Sequence, residues 1–287
     1  MKKKILLIGS DSRLSRVFYA RYNKIFDIYG TSRKRTSKKI FFLDLKKINN
    51  FNLSLNFQYV IFISGITDYN SCEKNYLIAK KVNCINIPIL ALKFLKKGSH
   101  IIFISSNVVF KYKKKLPNEK NITNPGFSYA KLKNMTEKKI LSYKKYINKI
   151  SIVRFTKNID ICSQPFSEWI KSIKAKKNFT ALKNLYFSPI LYQNSADLLY
   201  KIINKNLAGI YHLSGEKDIS YYNFAKKFLS FVGLKRNLVR GYDSNDLNIK
   251  LTYNHPVTGL SMQHTTFCTG LKPITLREIF IYLYKYI

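Results

Sequence analysis

The chain has 287 residues, 46% of them hydrophobic, and a formal net charge of +36. This length suits one large α/β domain, or one such domain with a smaller lobe. No apolar stretch reaches the roughly 20 residues that cross a bilayer, so we expect a cytoplasmic protein without a membrane span. The four cysteines form no C-x-x-C pair and no metal spacing with the histidines, which predicts free thiols and no metal site.

The charge raises the question of a nucleic-acid partner, because Lys and Arg neutralise phosphates. The lysines are spread along the whole chain, however, and they outnumber arginine. Arginine is the residue whose planar guanidinium binds phosphate through two hydrogen bonds. Abundant Lys, Asn, Ile, Tyr and Phe are typical of an A/T-rich coding bias. We therefore expect no specific nucleic-acid partner, although the field would attract a polyanionic small molecule such as a nucleotide sugar.

Short apolar runs alternate with helical stretches over the first 155 residues. The runs cover 4–8, 26–30, 39–43, 58–64, 100–105 and 149–155, and the helical stretches cover 13–24, 70–97 and 127–147. Apolar strands without alternation predict a doubly wound parallel α/β sheet with helices on both faces. In such a sheet ligands bind beyond the carboxyl ends of the strands.

After residue 155 the alternation of apolar runs and helical stretches becomes less regular. We predict helices over 166–175, 195–205, 219–233 and 275–286, an extended segment over 179–190 and a strand over 209–214. This part of the chain is expected to form a small C-terminal lobe, with strand 209–214 returning to the sheet.

The first strand ends at Gly9, where a dinucleotide fold needs glycines so that the backbone can approach a pyrophosphate at the helix N-terminus. Ser12 and Ser15 take the other two places of a G-x-x-G-x-x-G pattern. Serine is small and caps helices, so the loop is compatible with a dinucleotide. By itself it is equally compatible with an ordinary strand–turn–helix.

The second strand ends in the segment GTSRK (30–34), which holds no acid. An acid there would bind the ribose 2′-hydroxyl of NAD, whereas Ser32 and Arg33 suit a 2′-phosphate. The segment therefore predicts NADP(H) over NAD(H), unless Arg33 is only a surface cation. After the third strand come Asp44 and Leu45; the carboxylate of Asp44 is either an adenine ligand or a plain helix cap.

Ser106 follows an apolar strand, and Tyr129 and Lys133 follow it on a predicted helix. Residues four apart lie on one helix face. An unperturbed Tyr is a poor acid or base at neutral pH, and a nearby ammonium favours its phenolate and tunes it toward proton transfer. The same Y-x-x-x-K pattern recurs at Tyr222 and Lys226, without a strand-ending Ser ahead of it, so we assign the chemistry to the first copy.

At this point the chain resembles the dTDP-4-dehydrorhamnose reductase family of the extended short-chain dehydrogenase/reductase superfamily. The similarity runs over nearly the whole chain in matching order. It includes ILLIGSDSRLS at the start, YGTSRK, LDL, ISGITDYNSCE, KVN, FISSNVVF, NPGFSYAKLK, IVRFT, GIYHLSG and a closing GLKPITLREI.

The resemblance implies a Rossmann-like sheet, with residues 1–155 as an NADP-binding domain and 156–287 mainly as a substrate-binding lobe. It implies reduction of a 4-keto deoxy-sugar nucleotide by NADPH in polysaccharide biosynthesis, with Tyr129 as proton donor, Lys133 tuning it, and Ser106 bonding the keto oxygen. The cofactor residues that it implies are Gly9, Ser12, Arg13, Leu14, Ser32, Arg33, Asp44, Leu45, Ser64, Gly65 and Thr67.

Three positions depart from the family in the implied sugar pocket. Asn107 and Val108 replace an acid and an aromatic residue, and Lys157 stands where the family has an aromatic residue. The sugar and its carrier are therefore left open. Two other functions stay as alternatives: a nucleotide-sugar epimerase or dehydratase, and a non-catalytic relative that binds the nucleotide sugar or NADP. A homodimer is one assembly that the sequence allows.

Overall fold

The computed structural model describes residues 1–111 and 115–287. Within these ranges the strands are β1 (Lys4–Ile8), β2 (Asp27–Ser32), β3 (Ile40–Phe42), β4 (Tyr59–Phe62), β5 (His100–Ser106), β6 (Ile150–Phe155), β7 (Lys157–Ile159), β8 (Phe179–Leu182), β9 (Tyr186–Phe187), β10 (Pro189–Leu191), β11 (Gly209–Leu213), β12 (Ile219–Ser220) and β13 (Val239–Tyr242). The α-helices are α1 (Arg13–Tyr22), α2 (Tyr69–Lys74), α3 (Tyr76–Lys80), α4 (Ile87–Lys96), α5 (Ser128–Leu141), α6 (Phe166–Lys174), α7 (Tyr192–Asn204), α8 (Tyr221–Phe231), α9 (Gln263–Thr269) and α10 (Leu276–Tyr284). None of these helices is long and apolar enough to cross a membrane.

A seven-stranded sheet has the order β3-β2-β1-β4-β5-β6-β11. The pairs β1–β2, β2–β3, β1–β4 and β4–β5 are parallel. The chain runs outward from β1 to one edge and then returns to the other side of β1 at β4, which is the switch point of a doubly wound sheet. The predicted Rossmann-like α/β fold is therefore confirmed.

The sheet forms because its strands are buried on both faces. Leu6, Val60 and Ile101 are fully buried at its centre, and Leu90 and Phe94 of α4 pack into the same apolar cluster. The loops that follow the parallel strands lie beyond this core, at the carboxyl-terminal edge of the sheet.

The helix predicted over 70–97 is interrupted. It consists of α2, α3, a π-helical turn (Lys81–Asn86) and α4. Pro88 lies in the first turn of α4, and its missing N–H disrupts the regular i→i−4 pattern. Such π-turns often occur at functional sites, and this one places Asn83 beside the loop after β4.

The chain divides into two compact units. The first comprises Met1–Phe110, Ile122–Arg154 and Ser195–Tyr211, and the second comprises Lys111–Asn121, Phe155–Asn194 and His212–Ile287. The predicted range 1–155 holds most of the first unit, and the predicted range 156–287 holds most of the second. Residues 111–121, however, belong to the second unit, and residues 195–211 belong to the first. The nucleotide and substrate roles given to these ranges stay predictions.

The second unit has an aromatic core. Phe166 and Trp169 of α6 contact each other edge-on, at 5.2 Å between ring centroids. Phe187 stacks on Tyr221 at 4.2 Å, and Phe224 of α8 contacts Phe166 at 5.5 Å. Aromatic side chains bury large areas and pack with defined geometry, so this cluster supports the short strand pairs of the second unit.

Candidate functional site

A cleft of about 790 Å³, counting its solvent-open part, lies in the first unit beyond the carboxyl ends of β1 to β4. Eight residues predicted from the sequence to bind a cofactor line it: Gly9, Ser12, Ser32, Arg33, Asp44, Leu45, Ser64 and Gly65. Its other lining residues include Asp11, Lys34 and Lys46. The cleft therefore brings together segments that follow four different strands.

Three other predicted cofactor residues do not line this cleft. Leu14 is buried in the core, only 5% exposed, because it shares the inner face of α1 with Phe18 and Tyr22. Arg13 begins α1, and Thr67 is exposed in the loop before α2. A role for these three stays a prediction.

The loop after β1 keeps its tight turn although serines replace two of its glycines. Gly9 has φ +101°, and a Cβ at this position would lie 2.4 Å from Ser64 Cβ. Ser12 caps α1 by accepting a hydrogen bond from Ser15 N at 3.1 Å, and Ser15 Oγ donates to Gly9 O at 2.8 Å. The serine hydroxyls therefore bond the loop to itself, and only Gly9 has a conformation that requires glycine.

Asn83 fixes the loop after β4. Its Oδ1 accepts from Ile66 N at 3.0 Å and its Nδ2 donates to Ile66 O at 2.9 Å. A Cβ on Gly65 would lie 2.7 Å from the same Oδ1. Asn83 is a buried side chain, 4% exposed, and its two bonds hold this wall of the cleft. The sequence signalled this residue only through the KVN motif.

A carboxylate that sequence reasoning missed lies at the end of β2. Ser32 Oγ donates to Asp11 Oδ2 at 2.6 Å, and Arg35 Nε lies 3.2 Å from Asp11 Oδ1. The hydrogen bond from Ser32 and the nearby Arg35 lower the pKa of Asp11. The segment after β2 holds no acid, but the loop after β1 brings one to it.

Asp44 follows β3 and bonds its own turn, because its Oδ1 accepts from Lys46 N at 2.9 Å. This geometry is a side-chain cap of a turn. Leu45 beside Asp44 is buried, and the contact of Asp44 to adenine stays a prediction.

Tyr129 and Lys133 lie one turn apart on α5 and both are buried, 8% and 7% exposed. Lys133 Nζ lies 5.9 Å from the centre of the Tyr129 ring and donates to Ile104 O at 2.7 Å. Burial lowers the pKa of Lys133 to about 8, against an opposing effect of Glu137. Burial, with a smaller effect of Tyr69, raises the pKa of Tyr129 well above its ordinary value.

Aromatic rings cover Tyr129. Tyr69 of α2 contacts it at 5.1 Å between ring centroids, and Phe127 contacts Tyr69 at 4.8 Å. Burial also raises the pKa of Tyr69, to about 12. These rings shield the phenol of Tyr129 from water, and this burial disfavours its charged phenolate form.

A buried ion pair supports α5 behind Lys133. Arg154 Nη2 bonds Glu137 Oε2 at 2.7 Å, and the two side chains are 4% and 3% exposed. Ser105 Oγ donates a short hydrogen bond to Glu137 Oε1. Because Ser105 is on β5 and Arg154 on β6, this network ties α5 to the sheet strand that ends in Ser106.

Ser106 ends β5, and its Oγ accepts from Val108 N at 3.4 Å and donates to Asn107 Oδ1 at 3.1 Å. Asn107 and Val108 are buried in the short turn that follows. Lys157 begins β7 in the second unit, where its N donates to Ser188 O at 3.2 Å. No three His, Cys, Asp or Glu side chains within 1–111 and 115–287 are grouped so that they could hold a metal ion.

Comparison with solved structures gives matches over the whole chain. The dTDP-4-dehydrorhamnose reductase of Bacillus anthracis in complex with NADP has a TM-score of 0.83 and 19% identity, covering 100% of both chains. The dTDP-4-dehydrorhamnose reductase orthologue of Clostridium acetobutylicum has a TM-score of 0.78 and 20% identity, covering 98% of this chain and 99% of its own. The dTDP-glucose 4,6-dehydratase DesIV of Streptomyces venezuelae, with NAD bound, has a TM-score of 0.77 and 12% identity, covering 99% and 96%.

These likenesses show the fold. No curated protein matches the chain in sequence. The model of the family described as RmlD substrate binding domain matches residues 3–276, which is nearly the whole chain. The protein therefore belongs to the RmlD substrate-binding domain family.

Proposed function

We propose that this protein reduces the keto group of a 4-keto deoxy-sugar nucleotide with NADPH. The observation that carries the proposal is the pair of Tyr129 and Lys133, buried together on one face of α5. The NADP complex of the similar Bacillus anthracis reductase supports the choice of cofactor. We further propose that the reaction takes place in the cytoplasm and serves polysaccharide biosynthesis.

The cleft beyond β1 to β4 fits a dinucleotide phosphate. Its walls carry Arg33 and Lys34 together with several hydroxyls, which suits a polyanion. Gly9, Ser12 and the residues that begin α1, Arg13 and Leu14, would hold the pyrophosphate. The remaining contacts that we propose for the cofactor are Ser32 and Arg33 for the 2′-phosphate, Asp44 and Leu45 for adenine, and Ser64, Gly65 and Thr67 bordering it after the fourth strand.

NADPH supplies a hydride when bound. The chain's own part is to supply the proton, which the phenol of Tyr129 carries at neutral pH. The proton moves from the phenol oxygen of Tyr129 to the alkoxide that forms on the sugar. Lys133 then stabilises the phenolate by its charge, and Ser106 orients the keto oxygen by a hydrogen bond.

Reduction uses the phenol of Tyr129 as the acid, whereas oxidation of the alcohol would use its phenolate as the base. Asn107, Val108 and Lys157 are proposed to contact the sugar.

The test is a reductase assay with purified protein, NADPH and dTDP-4-dehydrorhamnose, following loss of NADPH absorbance and identifying the product by mass spectrometry. Tyr129→Phe removes the proton donor and keeps the ring, so we expect a fall in kcat of about 100-fold or more. Tyr222→Phe is the matched control, because Tyr222 and Lys226 repeat the sequence pattern in the second unit, and it should leave kcat unchanged.

The same assay separates the alternatives. Consumption of a dTDP-hexose without net NADPH oxidation would identify an epimerase or dehydratase. Tight binding of NADPH without turnover of any 4-keto sugar nucleotide would identify a non-catalytic relative. Equal activity of Tyr129→Phe and the unaltered protein would contradict the proton-transfer role of Tyr129.

A further inference from the structure

Asp11 contacts Ser32, one of the two residues to which the proposed function assigns the 2′-phosphate. It lines the same cleft as Ser32, Arg33 and Lys34. Its two carboxylate oxygens have different partners: Ser32 Oγ donates to Oδ2 at 2.6 Å, and Arg35 Nε lies 3.2 Å from Oδ1. The carboxylate is thus held at the end of β2 from a neighbouring loop.

Ser32 has little hydrogen-bonding capacity left for a phosphate. Its hydroxyl proton is donated to Asp11, and its oxygen accepts from Lys34 N at 2.9 Å and Arg35 N at 3.3 Å. Arg35 is paired with Asp11 as well. The Ser32 hydroxyl proposed for the phosphate and the neighbouring Arg35 guanidinium are therefore already bound to a carboxylate of the chain itself.

The charges around Asp11 oppose each other. Arg33 and Lys34 are exposed side chains on the cleft wall and would attract a phosphate. The carboxylate of Asp11 would repel it and would accept a hydrogen bond from a ribose 2′-hydroxyl, the function that an acid performs at this place in NAD-binding folds. Because Ser32 and Arg35 fix its position, Asp11 cannot turn away without losing both partners.

We propose that Asp11 is a specificity-determining residue that weakens the preference of this protein for NADPH over NADH, so that both cofactors bind with similar affinity. This inference rests on the proposed function, since it concerns the cofactor of that reaction. Arg33 and Lys34 would bind a 2′-phosphate, and the Asp11 carboxylate would bind a 2′-hydroxyl. Asp11 thus sets the ratio of the affinities for the two cofactors.

The experiment measures dissociation constants by titration calorimetry at one fixed salt concentration, because charge effects depend on ionic strength. The ligands are NADPH, NADH, and the fragments adenosine 2′,5′-bisphosphate and AMP. Asp11→Asn keeps the shape and a hydrogen-bond acceptor for Ser32 but removes the charge. We expect NADPH and the bisphosphate to bind at least fivefold more tightly, while NADH and AMP bind no more tightly than before.

Two further variants make the test independent of folding and of total charge. Asp27→Asn removes a carboxylate that pairs with Lys39 at 2.6 Å, at the other end of β2. It should change neither the ratio of NADPH to NADH affinity nor the ratio of bisphosphate to AMP affinity. Arg35→Gln leaves the charge of Asp11 without its partner, so the ratio of NADPH to NADH affinity should fall at least threefold.

The outcomes are distinct. An affinity ratio in Asp11→Asn equal to that of the unaltered protein and of Asp27→Asn overturns the inference and leaves the proposed function in place. Failure of the unaltered protein to bind either dinucleotide or the bisphosphate overturns both. A raised ratio in Asp11→Asn with a lowered ratio in Arg35→Gln supports the role of Asp11.

Discussion

Arg154 and Glu137 form a buried ion pair, with 2.7 Å between Nη2 and Oε2, on the side of α5 that faces the sheet. Arg154 Nε also bonds Glu137 Oε1 at 3.1 Å, which gives the two-pronged geometry that an Arg–carboxylate pair favours. The guanidinium lies 5.0 Å above the Phe110 ring. This network holds the helix that carries Tyr129 and Lys133.

Breaking this pair on one side should destabilise the fold strongly. Glu137→Gln leaves the Arg154 charge buried without a counter-charge, so we expect the free energy of unfolding to fall by about 3–5 kcal/mol, measured by urea denaturation. Lys39→Ala breaks an exposed pair with Asp27 and should lower it by less than about 1 kcal/mol. Equal losses in the two variants would show that burial does not set the strength of the pair.

Gly9 should tolerate no side chain. Gly9→Ala adds strain at φ +101° and places a Cβ 2.4 Å from Ser64 Cβ, so the expected loss is about 2–6 kcal/mol. Gly233 has φ +73° but no atom within 4 Å of the added Cβ, and Gly233→Ala should lose about 1–2 kcal/mol. The difference in thermal midpoints reports the steric contact together with the greater backbone strain at Gly9, and equal midpoint losses would show that Ser64 moves aside freely.

Lys133 should lower stability at neutral pH, because its buried ammonium is desolvated. Its pKa falls from 10.5 to about 8, which corresponds to roughly 3 kcal/mol. Between these pH values the unfolded state binds a proton that the folded state does not, so stability contributed at this site rises with pH.

The variant Lys133→Met removes this charge and keeps the stem. We expect its urea midpoint to be higher than that of the unaltered protein at pH 7. The difference between the two midpoints should narrow from pH 8 to pH 10.5. A gap that stays constant over this range would mean that Lys133 titrates at its ordinary pKa.

His100 should make the fold acid-sensitive. Its Nε2 lies 2.8 Å from Ser151 Oγ, and burial lowers its pKa from 6.5 to about 4. Below pH 6.5 the unfolded state gains a proton that the folded state does not, so the free energy of unfolding falls by up to roughly 3 kcal/mol as the pH drops to 4. His100→Gln should flatten this dependence in chemical denaturation curves.

The same substitution at His264, an exposed residue of α9, is the control for His100→Gln and should leave the pH dependence as it is in the unaltered protein. Identical slopes for all three proteins between pH 4 and pH 6.5 would assign the acid sensitivity to other groups.

The sequence by itself determined the order of the central strands over the first 155 residues and most of the cluster of cleft residues. Continuous apolar runs such as 4–8 and 100–105 are buried on both faces and so form central parallel strands. Residues that follow such strands must share one edge of the sheet, which is why Gly9, Ser32 and Ser64 line a single cleft. Tyr129 and Lys133 share a helix face by spacing alone.

Only the tertiary structure decided which side chains pair across that edge. Asp11 reaches Ser32 and Arg35, and Asn83 bonds the loop after β4, through contacts between segments far apart in the chain. Glu137 on α5 pairs with Arg154 on β6. Such pairs depend on how loops approach and which rotamers packing allows, and local sequence periodicity holds no information about either.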